Sequence, residues 1–127
     1  MLSDNFEFCS LLWSRYREEA ATHGLDVPDG QQAAWGGIMI CAPTDAEAEA
    51  RAEDMRWLWQ NWSIPFGQPF PMPLIGSPDT ITRKIEEAAA RFTIDDTFLI
   101  FPQGILPPEQ NRASLELFAT RVMPRFQ

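Results

Sequence analysis

The 127-residue sequence has few of the residue types that metal sites and nucleic-acid interfaces need. Its two cysteines, Cys9 and Cys41, form no CxxC pair and its only histidine is His23, so no metal-ligand spacing is present. Lys84 is the only lysine, the nine arginines are scattered, and 18 acidic against 10 basic residues give a formal net charge of −8. Because nucleic-acid backbones and anionic membrane surfaces repel a protein of this sign, we expect neither as a partner.

Long apolar runs are also lacking. No stretch reaches the roughly 20 apolar residues of a membrane span. The N-terminus has no basic start followed by an apolar run, which argues against a signal peptide. Two cysteines without a pairing pattern suit a reducing compartment, so we expect a cytoplasmic protein with free thiols. A content of 45% apolar residues is enough for a core, and residues 1–127 have the usual size of a single domain.

The apolar pattern predicts a first helix over residues 4–22. Ser3 or Asp4 can cap its start, and Gly24 can end it in the left-handed conformation. His23, at the helix end, is interpreted as a surface or capping residue. The apolar residues that recur every four positions, and that we expect to be buried, are Phe8, Leu12, Tyr16 and Ala20.

Two later segments predict strands, at residues 33–42 and 95–104. Both are apolar without alternation, which is typical of parallel strands buried on both faces. Gly36 and Gly37 suit a place where another group approaches the backbone or where a barrel bends. Because a two-stranded parallel sheet is not stable alone, we expect these strands to take neighbours from another polypeptide or from a second copy.

Three further helices are predicted around these strands. Thr44 and Glu47 form a capping box for the helix after the first strand. Pro107 and Pro108 open the last helix, and the proline-rich segment 63–73 is a loop. The side chains predicted to face inward from the three helices are Ala48, Met55, Trp59 and Trp62, then Ile81, Ile85, Ala89 and Phe92, then Leu115, Phe118 and Val122.

The turn from Gly76 to Asp79 leaves two interpretations open. Ser77 is a good N-cap, Pro78 suits the first helical turn, and Asp79 complements the positive end of the helix. The same turn, with Gly76 and free amides, could instead seat a phosphate. Asp79 lies where the anion would bind, which favours capping.

Three stretches resemble one protein family in order along the chain. They are WGGIMICAPTDAEAEARAEDM, PLIGSPDTITRKIEEAAARF and DTFLIFPQGILPPEQNRASLELFATRVMPRF, of which SLELFATRVMP is the most diagnostic. They are similar to the C-terminal part of the luciferase-like flavin-dependent monooxygenases. The resemblance covers about residues 34–126, and Phe6 to Gly24 resembles the preceding helix of that family.

The resemblance implies an α/β fold that is part of a (β/α)8 barrel, namely its last two strands with their helices. The first five or six βα units have no counterpart here. In that family they supply the catalytic histidine and most flavin contacts, so no catalytic residue is carried over. The implied cofactor is reduced FMN, with a deazaflavin less favoured, acting with O2. The barrel is expected to be completed by a homo-oligomer or by a partner chain.

Active sites of such barrels lie at the carboxyl ends of the strands. Here those ends are Cys41, Ala42 and Pro43 after the first strand, and Pro102, Gln103 and Gly104 after the second. Gln103 and Gly104 are the cofactor-binding candidates, although a purely structural amide is an open alternative for Gln103.

The aromatic residues of the proline-rich loop are candidates for a substrate pocket, with plain packing as the alternative. These residues are Trp62, Phe66 and Phe70.

Two functions therefore stay open at this point. One is a fragment or subunit of a luciferase-like monooxygenase, which needs a partner chain for activity. The other is a non-catalytic truncated homologue that acts as a dimerising or interaction module.

Overall fold

The computed structural model describes residues 5–28, 33–63, 65, 74–91, 94–102 and 104–126, without the side chains of residues 58, 62 and 63. The elements in chain order are α1 Phe6–Thr22, β1 Ala34–Cys41, α2 Asp45–Leu58, a π-helical turn Trp59–Ser63, β2 Leu74–Gly76, α3 Pro78–Arg91, β3 Asp96–Ile100, α4 Pro108–Arg121 and a 3-10 turn Met123–Arg125.

Helix α1 begins and ends for local reasons. The side chain of Asn5 accepts a hydrogen bond from the Phe8 amide at 3.0 Å, so Asn5 is the N-cap. Ser3 and Asp4, the predicted caps, lie outside the described residues. Gly24 takes the predicted left-handed conformation with φ of 74°, which ends the helix. His23 is exposed beside Glu19, as expected of a surface residue.

The buried face of α1 differs from the prediction. Ala20 is buried as predicted, but its companions are Cys9 and Trp13. Of the predicted stripe, Phe8, Leu12 and Tyr16 are instead exposed. The helix carries two neighbouring apolar stripes. The stripe that contains Cys9 and Trp13 packs against the rest of the protein, whereas the four-residue spacing had predicted burial of the other stripe.

The sheet has three parallel strands in the order β2-β1-β3. Strand β1 pairs with β3 from Ala34 to Ile38 and with β2 from Met39 to Cys41. The sequence predicted only two strands, so β2 corrects that prediction. Strand β1 consequently has a neighbour from its own chain on each side.

Helices cover both faces of β1, because successive side chains of a strand point to opposite faces. One face packs against α1, α3 and α4, and the other packs against α2 and the π-helical turn. The first core cluster contains Cys9, Trp35, Met39, Cys41, Leu74, Ile81, Ile85, Ala88, Phe118 and Val122. The second contains Ile38, Ile40, Ala42, Ala48, Ala52, Met55, Trp59, Ile75 and Leu106.

Strand β3 is less buried than predicted. Thr97, Phe98 and Leu99 are half-buried, and Asp96 and Ile100 are exposed. Within the described residues β3 pairs with β1 alone, so its second edge meets no strand of this part of the chain. The prediction of a doubly buried strand is therefore wrong for β3, although its apolar sequence suits burial.

The helix faces agree with most of the predictions. Ala48, Met55, Trp59, Ile81, Ile85, Phe118 and Val122 are buried as predicted. Ala89 and Leu115 are exposed instead, and their neighbours Ala88 and Ser114 are buried. The side chain of Trp62 and all of Phe92 lie outside the described residues.

Candidate functional site

The carboxyl ends of β1 and β3 lie at the same edge of the sheet, because the two strands are parallel. Cys41 and Ala42 follow β1 and are buried, and Pro102 after β3 is also buried. Pro102 starts a tight turn in which its carbonyl accepts a hydrogen bond from the Leu106 amide at 3.1 Å. Gln103, the predicted cofactor contact, lies outside the described residues.

Gly104 is placed where a ligand could approach the backbone. It is exposed, its φ is 81°, and an added Cβ would meet nothing within 4 Å. A positive φ of this size favours glycine. The backbone of the turn after β3 is thus accessible at Gly104. Its assignment as a cofactor-binding residue stays a prediction.

Cys41 is a structural residue rather than a nucleophile. Its side chain is fully buried, and burial raises the pKa of the thiol to about 11, against a smaller opposing effect of Arg51. The carbonyl of Cys41 accepts a hydrogen bond from the buried Ser114 hydroxyl at 2.8 Å. This bond ties α4 to the end of β1 and satisfies a buried backbone acceptor.

We expect the Cys41 thiol to resist alkylation in the folded protein. At pH 8 a thiol with a pKa of about 11 is only about 0.1% thiolate, and the thiolate is the reactive form. In a Cys9→Ala variant, which leaves one thiol, iodoacetamide labelling followed by mass spectrometry should be at least about a hundredfold slower than in guanidinium. Labelling at equal rates in the two conditions would contradict the assignment.

Asn111 was not singled out from the sequence. It lies in the first turns of α4, where its Nδ2 donates a hydrogen bond to the Leu106 carbonyl at 3.4 Å. Its Oδ1 is buried and, among the described residues, has no hydrogen-bond partner. In the sequence, Asn111 is marked only by its position shortly after Pro107 and Pro108, at the start of a predicted helix. That position does not distinguish its side chain from those of other Asn and Gln residues in helices.

The N-terminus of α3 is capped by a carboxylate that is distant in sequence. One oxygen of Asp45 accepts a hydrogen bond from the Ser77 amide at 2.6 Å, and the other accepts from the Thr80 hydroxyl at 3.0 Å. These bonds, the one from the Ser77 amide first, lower the pKa of Asp45. Asp45 also begins α2, so its charge lies at the positive ends of two helices.

The carboxylate of Asp45 decides between the two interpretations of this turn. It occupies the position at the α3 N-terminus where a phosphate would bind, and Asp79 nearby pairs with Arg125 at 2.7 Å. An adjoining cleft of about 470 Å³ is lined by the residues that follow β1 and β2 and by Arg121. Asp45 and Asp79 also line this cleft, and their carboxylates disfavour the binding of an anion. The geometry therefore supports capping and gives no seat for the phosphate of a flavin nucleotide.

Gly76 makes this cap possible. Its φ is 152°, and an added Cβ would lie 2.7 Å from Thr80 Cγ2 and 3.1 Å from the Asp45 carboxylate. Only glycine therefore lets the carboxylate reach the amide of the next residue.

We expect Asp45→Ala to lower the free energy of unfolding at pH 7 by about 1 kcal/mol, the usual cost of losing a helix cap. Because the folded-state pKa lies below the unfolded value of about 3.9, the stabilisation is complete above about pH 4 and is lost as the pH falls through the folded-state pKa. Urea unfolding of both proteins from pH 7 to pH 2 measures this. Asp54→Ala, which removes an exposed acid from the C-terminal half of α2, is the control and should be close to neutral. A constant Asp45→Ala deficit down to pH 2 would contradict the account.

The predicted substrate pocket is only partly described. The backbone of Trp62 lies in the π-helical turn that follows α2. About 26 Å of helix separates it from Thr44 at the carboxyl end of β1. Phe66 and Phe70 lie outside the described residues. The assignment of these three residues to a pocket stays a prediction.

Two kinds of site are not found in the part of the chain that the structure describes. No group of three or more His, Cys, Asp or Glu side chains there is arranged to hold a metal ion. Likewise, none of the described helices is long and apolar enough to cross a membrane.

Comparison with solved structures identifies the architecture. The monooxygenase RslO1 from Streptomyces bottropensis aligns over 97% of this chain and 39% of its own, with a TM-score of 0.70 and 21% identity. The oxygenating constituent of 3,6-diketocamphane monooxygenase from Pseudomonas putida, a type II Baeyer-Villiger enzyme in complex with FMN, aligns over 89% and 38%, with a TM-score of 0.67 and 24% identity. MsnO8, solved without ligand, aligns over 83% and 40%, with a TM-score of 0.57 and 19% identity.

These comparisons show the fold. The chain is an α/β segment that matches part of the barrel of these monooxygenases, as predicted, and it spans about two fifths of their length. The predicted pair of barrel strands is β1 with β3, and β2 is an addition on the far side of β1. Neither the protein-family models nor the curated proteins give a match to the sequence.

Proposed function

We propose that this chain is a segment of a luciferase-like flavin-dependent monooxygenase and contributes the β1–β3 edge of its barrel. The observation that carries the proposal is the backbone match to RslO1 over 97% of the chain. The sequence resemblance, drawn independently from SLELFATRVMP and its companion stretches, points to the same class. When bound, reduced FMN would supply the electrons that activate O2.

The cofactor would contact this chain at the loop after β3. The open space beside Gly104 supports a ligand there. Gln103, between Pro102 and Gly104, would donate or accept a hydrogen bond at the ring. Because Asp45 occupies the α3 N-terminus, the flavin phosphate must be held by other parts of the barrel.

Catalysis would require the remaining βα units, supplied by a partner chain. The second edge of β3, with the half-buried Phe98 and the exposed Ile100, is where the next parallel strand would pair. Beside it lies an apolar groove of about 610 Å³ between the C-terminal part of α3 and the end of the chain, lined by Ile94, Leu99, Phe118 and Phe126 among others. A helix following that strand would fill the groove. We propose that the chain alone is not catalytic.

Quenching of FMN fluorescence by the purified chain tests the cofactor assignment. We expect weak saturable binding that a Gln103→Ala variant weakens about tenfold, the effect of one lost hydrogen bond to the ligand. Gln60→Ala, at an exposed position beyond α2, is the matched control and should bind as the parent does. A chain that ignores added FMN at millimolar concentration would contradict the proposal.

A non-catalytic interaction module is the second candidate function. The exposed apolar side chains of α1 favour it, because monomeric proteins seldom expose a contiguous apolar helix face. A colourless dimer that does not bind FMN would support this candidate over the enzyme segment.

A further inference from the structure

We draw no further inference here: the strongest candidate, the second edge of β3 with the apolar groove beside it, belongs to the barrel interface already proposed, and nothing in the described residues shows what else covers it.

Discussion

Gly36→Ala should unfold the protein or come close to it. A Cβ at this position would lie 2.0 Å from the Phe98 carbonyl oxygen and 2.9 Å from two other backbone atoms of Phe98. Backbone atoms of a paired strand cannot move aside as a side-chain tip can, so β1 and β3 would have to separate. We expect a loss of about 4 kcal/mol or more, at the upper end for single substitutions.

Gly24→Ala is the matched control for this prediction. It also has a positive φ, but its added Cβ would meet nothing within 4 Å, so only the left-handed backbone is strained. We expect a cost of about 1–2 kcal/mol. Guanidinium unfolding followed by circular dichroism measures both variants; similar midpoints for the two would contradict the close approach of β1 to β3.

Trp35→Ala should have the second largest effect. Trp35 is fully buried in the first core cluster, and its ring lies 5.7 Å from that of Phe6, which links β1 to the start of α1. Truncation leaves a cavity and removes one of the contacts that hold this end of α1. We expect a loss of roughly 3–5 kcal/mol.

Trp57 provides the control, because it is the same residue type at 66% exposure. We expect Trp57→Ala to change the free energy of unfolding by less than about 0.5 kcal/mol. Thermal unfolding of the two variants side by side distinguishes a packing effect from a general effect of losing tryptophan. Equal decreases in the melting temperature of the two variants would show that the packing of Trp35 does not stabilise the start of α1.

Local signals were enough to predict the four helices and the two longer strands. The Thr44 cap, the Gly24 terminus and the non-alternating run of β1 each depend on residues close in sequence. Strand β2 was missed because three residues between a proline-rich segment and a helix cap carry no periodicity. The role of Asp45 was missed because its partner Ser77 lies 32 residues away.

The α1 face shows a different limit. Apolar spacing locates an amphipathic helix, but α1 has two adjacent apolar stripes, and only tertiary contacts decide which one is buried. The stripe of Phe8, Leu12 and Tyr16 is the one exposed here. A surplus of apolar helix surface is also what a protein–protein interface requires, so the residues wrongly predicted to be buried are those that favour the second candidate function.

The sequence predicted which strand ends share one edge of the sheet, but not the environment of the residues there. Parallel strands place Cys41 and Pro102 at one edge of the sheet, and the sequence sufficed for that. The environment of each group was not predictable. Burial makes Cys41 a neutral thiol, and the fold brings the Asp45 carboxylate to the Ser77 amide; both effects depend on residues that are distant in sequence.

Oxygen consumption driven by reduced FMN is the most direct test of the claim that this chain is one edge of a monooxygenase barrel. The chain would be assayed alone, and then together with a co-purifying polypeptide that supplies the remaining βα units, for which the product of an adjacent reading frame is the first choice. We predict no turnover by either chain alone and turnover by the complex that Gln103→Ala reduces. A stable complex that binds FMN but consumes no oxygen, or full activity of this chain by itself, would contradict the account.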